Sequence, residues 1–147
     1  MKRSSVFAAC LLLAAASSIT SARTRRHVEF SVTIAGLSGS KIRGSGLITP
    51  SEKPTVAKTV VALKFDRDIA GAERPWHIHH GTCAKSGAIL GGASIYPAIK
   101  VDAKGTGSAK LTLPIVFPDT GVFYLSVHES AKQMSKVVAC GDLVLEE

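Results

Sequence analysis

Val28-Glu29-Phe30-Ser31-Val32-Thr33-Ile34 alternates apolar and polar side chains without a break. Successive side chains of an extended strand point to opposite faces, so this pattern predicts a strand with one buried face. Gly36, Ser38, Gly39 and Ser40 end it. The same period recurs outward along the chain. A weaker strand is predicted over 42–49, stopped by Pro50 and Pro54, and a Val-rich one over 56–65. A short strand over 76–79 precedes a loop marked by Gly87, Gly91 and Gly92. Strands over 96–101 and 109–113 follow, separated by the turn Asp102-Ala103-Lys104-Gly105. Those over 121–128 and 137–145 complete a set of eight. No window shows a 3.6-residue apolar stripe, and 130–136 is one helical turn at most. Short strands separated by turn residues indicate an all-β sandwich or barrel.

The segment before this domain reads differently. Met1-Lys2-Arg3 is followed by an uncharged, largely apolar run from Val6 to Ala16, and then by Thr20-Ser21-Ala22. A basic start, a short apolar run and small residues before a cut site describe a secretory signal peptide, 1–22, cleaved after about Ala22. The run is far shorter than the ~20 apolar residues of a membrane span, so no transmembrane segment is expected. Cys10 lies inside the run, too early for a lipoprotein cysteine. The chain is therefore expected to be exported, to a periplasmic or extracellular space.

Processing also changes the charge. The full chain of 147 residues carries 18 Lys+Arg against 11 Asp+Glu, a formal charge of +7. Loss of Lys2 and Arg3 lowers it to +5 against the same 11 acids. Three of the remaining cations, Arg23, Arg25 and Arg26, sit in a basic tail, 23–27, which ends at His27. No aromatic residue interleaves with them as single-strand binding requires, so nucleic acid is not the expected partner. Cys83 and Cys140 are the two cysteines left, and an even pair in an exported chain reads as one disulfide. Closing so long a loop is worth about 4 kcal/mol in the chain-entropy model.

Chemistry concentrates in the histidines. Of the five, His77, His79 and His80 lie within Trp76-His77-Ile78-His79-His80-Gly81, and His128 ends a later strand. In a strand His77 and His79 share one face while Ile78 enters the core. In the later strand Phe123, Leu125 and Val127 form the core face, so Val122, Tyr124, Ser126 and His128 lie outside. A His-x-His pair and a distant third His on one outer surface suit a metal held by three nitrogens. Neutral imidazoles favour copper or zinc, and the order of divalent affinities favours Cu(II).

His77-Ile78-His79-His80-Gly81-Thr82-Cys83, Gly121-Val122-Phe123-Tyr124-Leu125-Ser126-Val127-His128 and Val138-Ala139-Cys140-Gly141-Asp142 resemble segments of the copper/zinc superoxide dismutase family. The resemblance implies an eight-stranded Greek-key β-barrel over 28–147 with copper on its outside. By position His77, His79 and His128 match copper ligands, and Cys83 and Cys140 match the family disulfide. The family also has a bridging histidine and further zinc ligands after the first cysteine. Between Cys83 and His128 this chain has no histidine and only Asp102 and Asp119 as acids, so zinc is not expected. His80 is a candidate fourth copper ligand if the strand curls at Gly81, although alternation points it away from His79.

Two further departures bear on activity. The arginine that guides superoxide in the family is replaced by Val137, with Lys136 one residue earlier. The loop between His128 and Cys140 is short, which leaves the site open. Glu129 and Asp142 are candidates to orient the imidazoles as outer acceptors. Gly44-Ser45-Gly46 and Gly105-Thr106-Gly107 lack the strand-to-helix setting of a phosphate loop, and no nucleophilic serine motif stands out. The resemblance thus implies an exported copper protein that dismutates superoxide, with superoxide or another small anion as its partner. The alternative is a non-catalytic copper carrier or a metal-free β-sandwich binding module.

Overall fold

A computed structural model describes residues 28–53 and 55–146. The expected signal peptide, Cys10 and the basic tail lie outside the described residues. The strands are β1 (Glu29–Gly36), β2 (Arg43–Pro50), β3 (Thr59–Asp66), β4 (Glu73–Arg74) and β5 (Trp76–Thr82). They continue as β6 (Lys85–Ile89), β7 (Ile99–Lys100), β8 (Gly107–Leu113), β9 (Phe123–His128) and β10 (Val137–Glu146). One 3-10 turn, Ala93–Ile95, is the only helical element among the described residues.

Eight strands form one antiparallel sheet in the order β6-β5-β9-β10-β1-β2-β3-β8, and it curls into a half-barrel. β4 and β7 pair separately. The strands β1, β2 and β3 run as a meander, and β10, the last strand, lies antiparallel beside β1. Alternation places the core as expected. Val32 and Ile34 of β1, Val61 and Phe65 of β3 and Ile78 of β5 are buried with Leu125 and Val127 of β9. Close approach is built in at Gly141, where a Cβ would collide with the Thr33 carbonyl across the β1–β10 ladder.

Three expected elements change. The stretch expected as a loop around Gly87 contains β6, which hairpins back onto β5 through a bulge at Gly81. Gly81 takes φ 99°, a conformation that needs a glycine, and its N–H donates to Val122 O at 2.8 Å. The strand expected over 96–101 shrinks to Ile99–Lys100. Pro97 has no N–H to give a ladder, and its carbonyl instead accepts from Trp76 Nε1 at 2.9 Å. This frees Tyr96 to fold over the outer face of β5. The strand expected from 56 begins at Thr59, whose buried hydroxyl donates to Ile115 O at 3.1 Å.

Candidate metal centre

β5 and β9 are adjacent and antiparallel, with His77 opposite Ser126 and His79 opposite Tyr124. Ser126 and His128, two residues apart on β9, face the same way as His77 and His79. The ladder therefore carries the distant histidine to the pair, as the alternation predicts. All six residues of β9 are buried, although only half of them face the core. The outer half is covered by the chain itself. The Tyr96 ring meets that of His77 edge-on at 5.4 Å, and its hydroxyl donates to Leu90 O at 2.7 Å. Burial pushes the Tyr96 phenol up to about 12, so it stays neutral and acts as a wall.

The ligating atoms of His77, His79 and His128 lie within 4.8 Å of one another. His77 Nδ1 and His128 Nε2 are 3.1 Å apart. Ser126 Oγ lies 3.0 Å from His128 Nε2 and 3.1 Å from His79 Nε2. Two nitrogens each about 2 Å from a tetrahedral metal stand roughly 3.3 Å apart, so this spacing suits a metal. His77 and His128 are 3% and 6% exposed, whereas His79 is half-buried and stacks on Tyr124 at 4.8 Å. His79 is thus the most exposed of the three.

Proton placement favours the same conclusion. His79 Nδ1 donates to Gly87 O at 3.0 Å, which leaves the lone pair on Nε2, the nitrogen turned to the cluster. His128 Nδ1 is buried and has no hydrogen-bond partner among the described residues. The Met134 backbone favours the protonated ring, against the larger effect of burial. A metal on His128 Nε2 requires the ring's proton on Nδ1. Burial, and then the neighbouring imidazoles His128 and His79, lower the His77 pKa to about 4. Burial likewise lowers that of His128. Both are neutral at pH 7 and available as ligands. The donor set fits copper or zinc.

Other expected site residues lie elsewhere. His80 is exposed, on the Ile78 face, with its ring 5.2 Å from Phe123; strand alternation keeps it out of the cluster. The Glu129 carboxylate, expected to orient an imidazole, pairs instead with Lys136 Nζ at 3.3 Å. Asp142 Oδ1 accepts from the Cys83 N–H at 2.7 Å, since Asp142 lies two residues past Cys140, which the disulfide ties to Cys83. The acceptor that orients an imidazole is a main-chain carbonyl, which no side-chain pattern announces.

Arg74 is a further positioning residue that the sequence did not single out. Its Nε donates to Asp68 Oδ2 at 2.8 Å and Nη2 to Oδ1 at 2.6 Å, with both side chains buried. Its Nη1 donates to the carbonyl of Glu129, the neighbour of His128. A separate concavity of about 460 Å³, lined among others by Phe30, Phe117 and Phe123, contains none of the histidines. No family model matches the chain, and no curated protein matches it either.

Proposed function

We propose that this is an exported copper protein, similar to the copper/zinc superoxide dismutases but without their zinc site, that disproportionates superoxide. The carrying observation is that ligating nitrogens of His77, His79 and His128 lie within 4.8 Å of one another, with His77 Nδ1 3.1 Å from His128 Nε2. Copper bound there would supply a Cu(II)/Cu(I) couple able to oxidise one superoxide to dioxygen and reduce a second, with two protons, to hydrogen peroxide. Among divalent ions copper has the highest affinity for such nitrogen donors. The chain's own part is to hold the three lone pairs inward, exclude bulk water with Tyr96 and leave an approach beside His79. The disulfide supports export.

A copper carrier is the second reading, favoured by one contact. Lys136, the nearest substitute for a guiding cation, is engaged by Glu129. Copper titration of the purified mature chain, with metal analysis and superoxide consumption on the same sample, separates the readings. Dismutation predicts one copper per chain and turnover well above that of the same amount of free copper, both lost in His77→Ala and His128→Ala. Uptake without turnover would identify a carrier. No stoichiometric uptake would reject both.

A further inference from the structure

We propose that Ser126 Oγ is a fourth donor of this centre, so that the metal is held by three imidazoles and one hydroxyl. The inference rests on the copper reading above. Ser126 is 1% exposed, and its Oγ stands 3.0 and 3.1 Å from the two Nε2 atoms that face the cluster. Those separations match the 3.1 Å between His77 Nδ1 and His128 Nε2. The oxygen thus has the spacing of a donor within the set. It is also fixed there. Ser126 sits between His77 on β5 and Cys140 on β10, in the interior of the sheet.

The proton count leads to the same assignment. His79 carries its proton on Nδ1, toward Gly87 O, so the Ser126 hydroxyl donates to His79 Nε2. Its oxygen then accepts from His128 Nε2–H in the metal-free chain. Loading removes both hydrogen bonds, because a metal takes the lone pairs of the two Nε2 atoms. The His128 proton then belongs on Nδ1. A buried hydroxyl oxygen stripped of its partners is costly. Binding the metal that displaced them satisfies it.

Copper(II) titration of the mature chain, with affinity measured against a competing chelator and electron spin resonance on the loaded samples, tests this. Ser126→Thr keeps the hydroxyl and should keep both the affinity and the spectrum. Ser126→Ala should still take up one copper, but about 10–100-fold more weakly and with an altered spectrum. Ser126→Val, matched in shape to threonine, gives the same comparison if the alanine variant fails to fold. Alanine and valine variants with wild-type affinity and spectrum, beside a His128→Ala variant that loses the metal, would overturn the Ser126 assignment alone. Failure of the wild-type chain to take up one copper would overturn the copper reading and the assignment with it.

Discussion

Arg74 and Asp68 leave water together, with side chains 5% and 3% exposed. Such a pair adds little over an apolar substitute, but breaking it strands a charge in the interior. Asp68→Asn should therefore destabilise the fold by about 3–5 kcal/mol in urea unfolding. It should also loosen the Glu129 carbonyl, which Arg74 holds next to His128. A loss within experimental error would mean that the guanidinium finds another partner. The second prediction at this scale concerns pH. Unfolded, His77 titrates near its ordinary value of about 6.5; folded and metal-free, it titrates at about 4. Between those values the unfolded chain binds a proton that the folded chain does not. Stability should fall as pH drops through that window, by at most about 3 kcal/mol from His77, and should stop falling on its account below pH 4. Urea midpoints of the metal-free chain measured from pH 7 to pH 4 check this. Replacing His77 by Phe should flatten the slope, and an unchanged slope would contradict the assignment.

Among the elements, β9 shows what a sequence reveals and what it hides. Its alternation gave both faces, and β5 gave the matching pair of histidines. Pairing of β5 with β9 was not legible, since the long connection between them carries no mark of which strands it brings together. Nor was the cover over the outer face. Tyr96 reads as a strand residue, and only the missing N–H of Pro97 shows why the backbone leaves the ladder there. Lys85-Ser86-Gly87-Ala88-Ile89 reads as a loop because it has little β propensity, yet it pairs with β5 once Gly81 makes the bend. That pairing brings Gly87 O to His79. The cysteines were legible, and their bridge joins the end of β5 to β10 across 57 residues. Replacing both by Ser should cost about 4 kcal/mol, chiefly by freeing the unfolded chain. Urea unfolding of the double variant measures it. A cost below about 1 kcal/mol would mean that the unfolded chain is compact without the bridge.

For the whole molecule, folding and any metal held by the three histidines would be thermodynamically linked, because these side chains come from β5 and β9 and meet only in the folded chain. A ligand that binds only the folded state stabilises it by RT ln(1 + [L]/Kd), which is about 2.7 kcal/mol at a hundredfold excess over Kd. For a domain of this size that corresponds to a rise in Tm of roughly 10 °C. Calorimetry with rising copper(II) should show the transition climbing with concentration. His128→Ala should abolish the climb while leaving a folded domain, since its removal empties one ligand position without opening the Val32, Ile34 and Leu125 core. His80→Ala should climb like the wild type, because that ring lies against Phe123 and outside the cluster. Equal stabilisation of the wild type and the His128 variant would place copper on surface groups instead. The pair of variants thus asks of the whole fold what the geometry states for three side chains, and only an inward-facing site answers with one histidine silent and the other decisive.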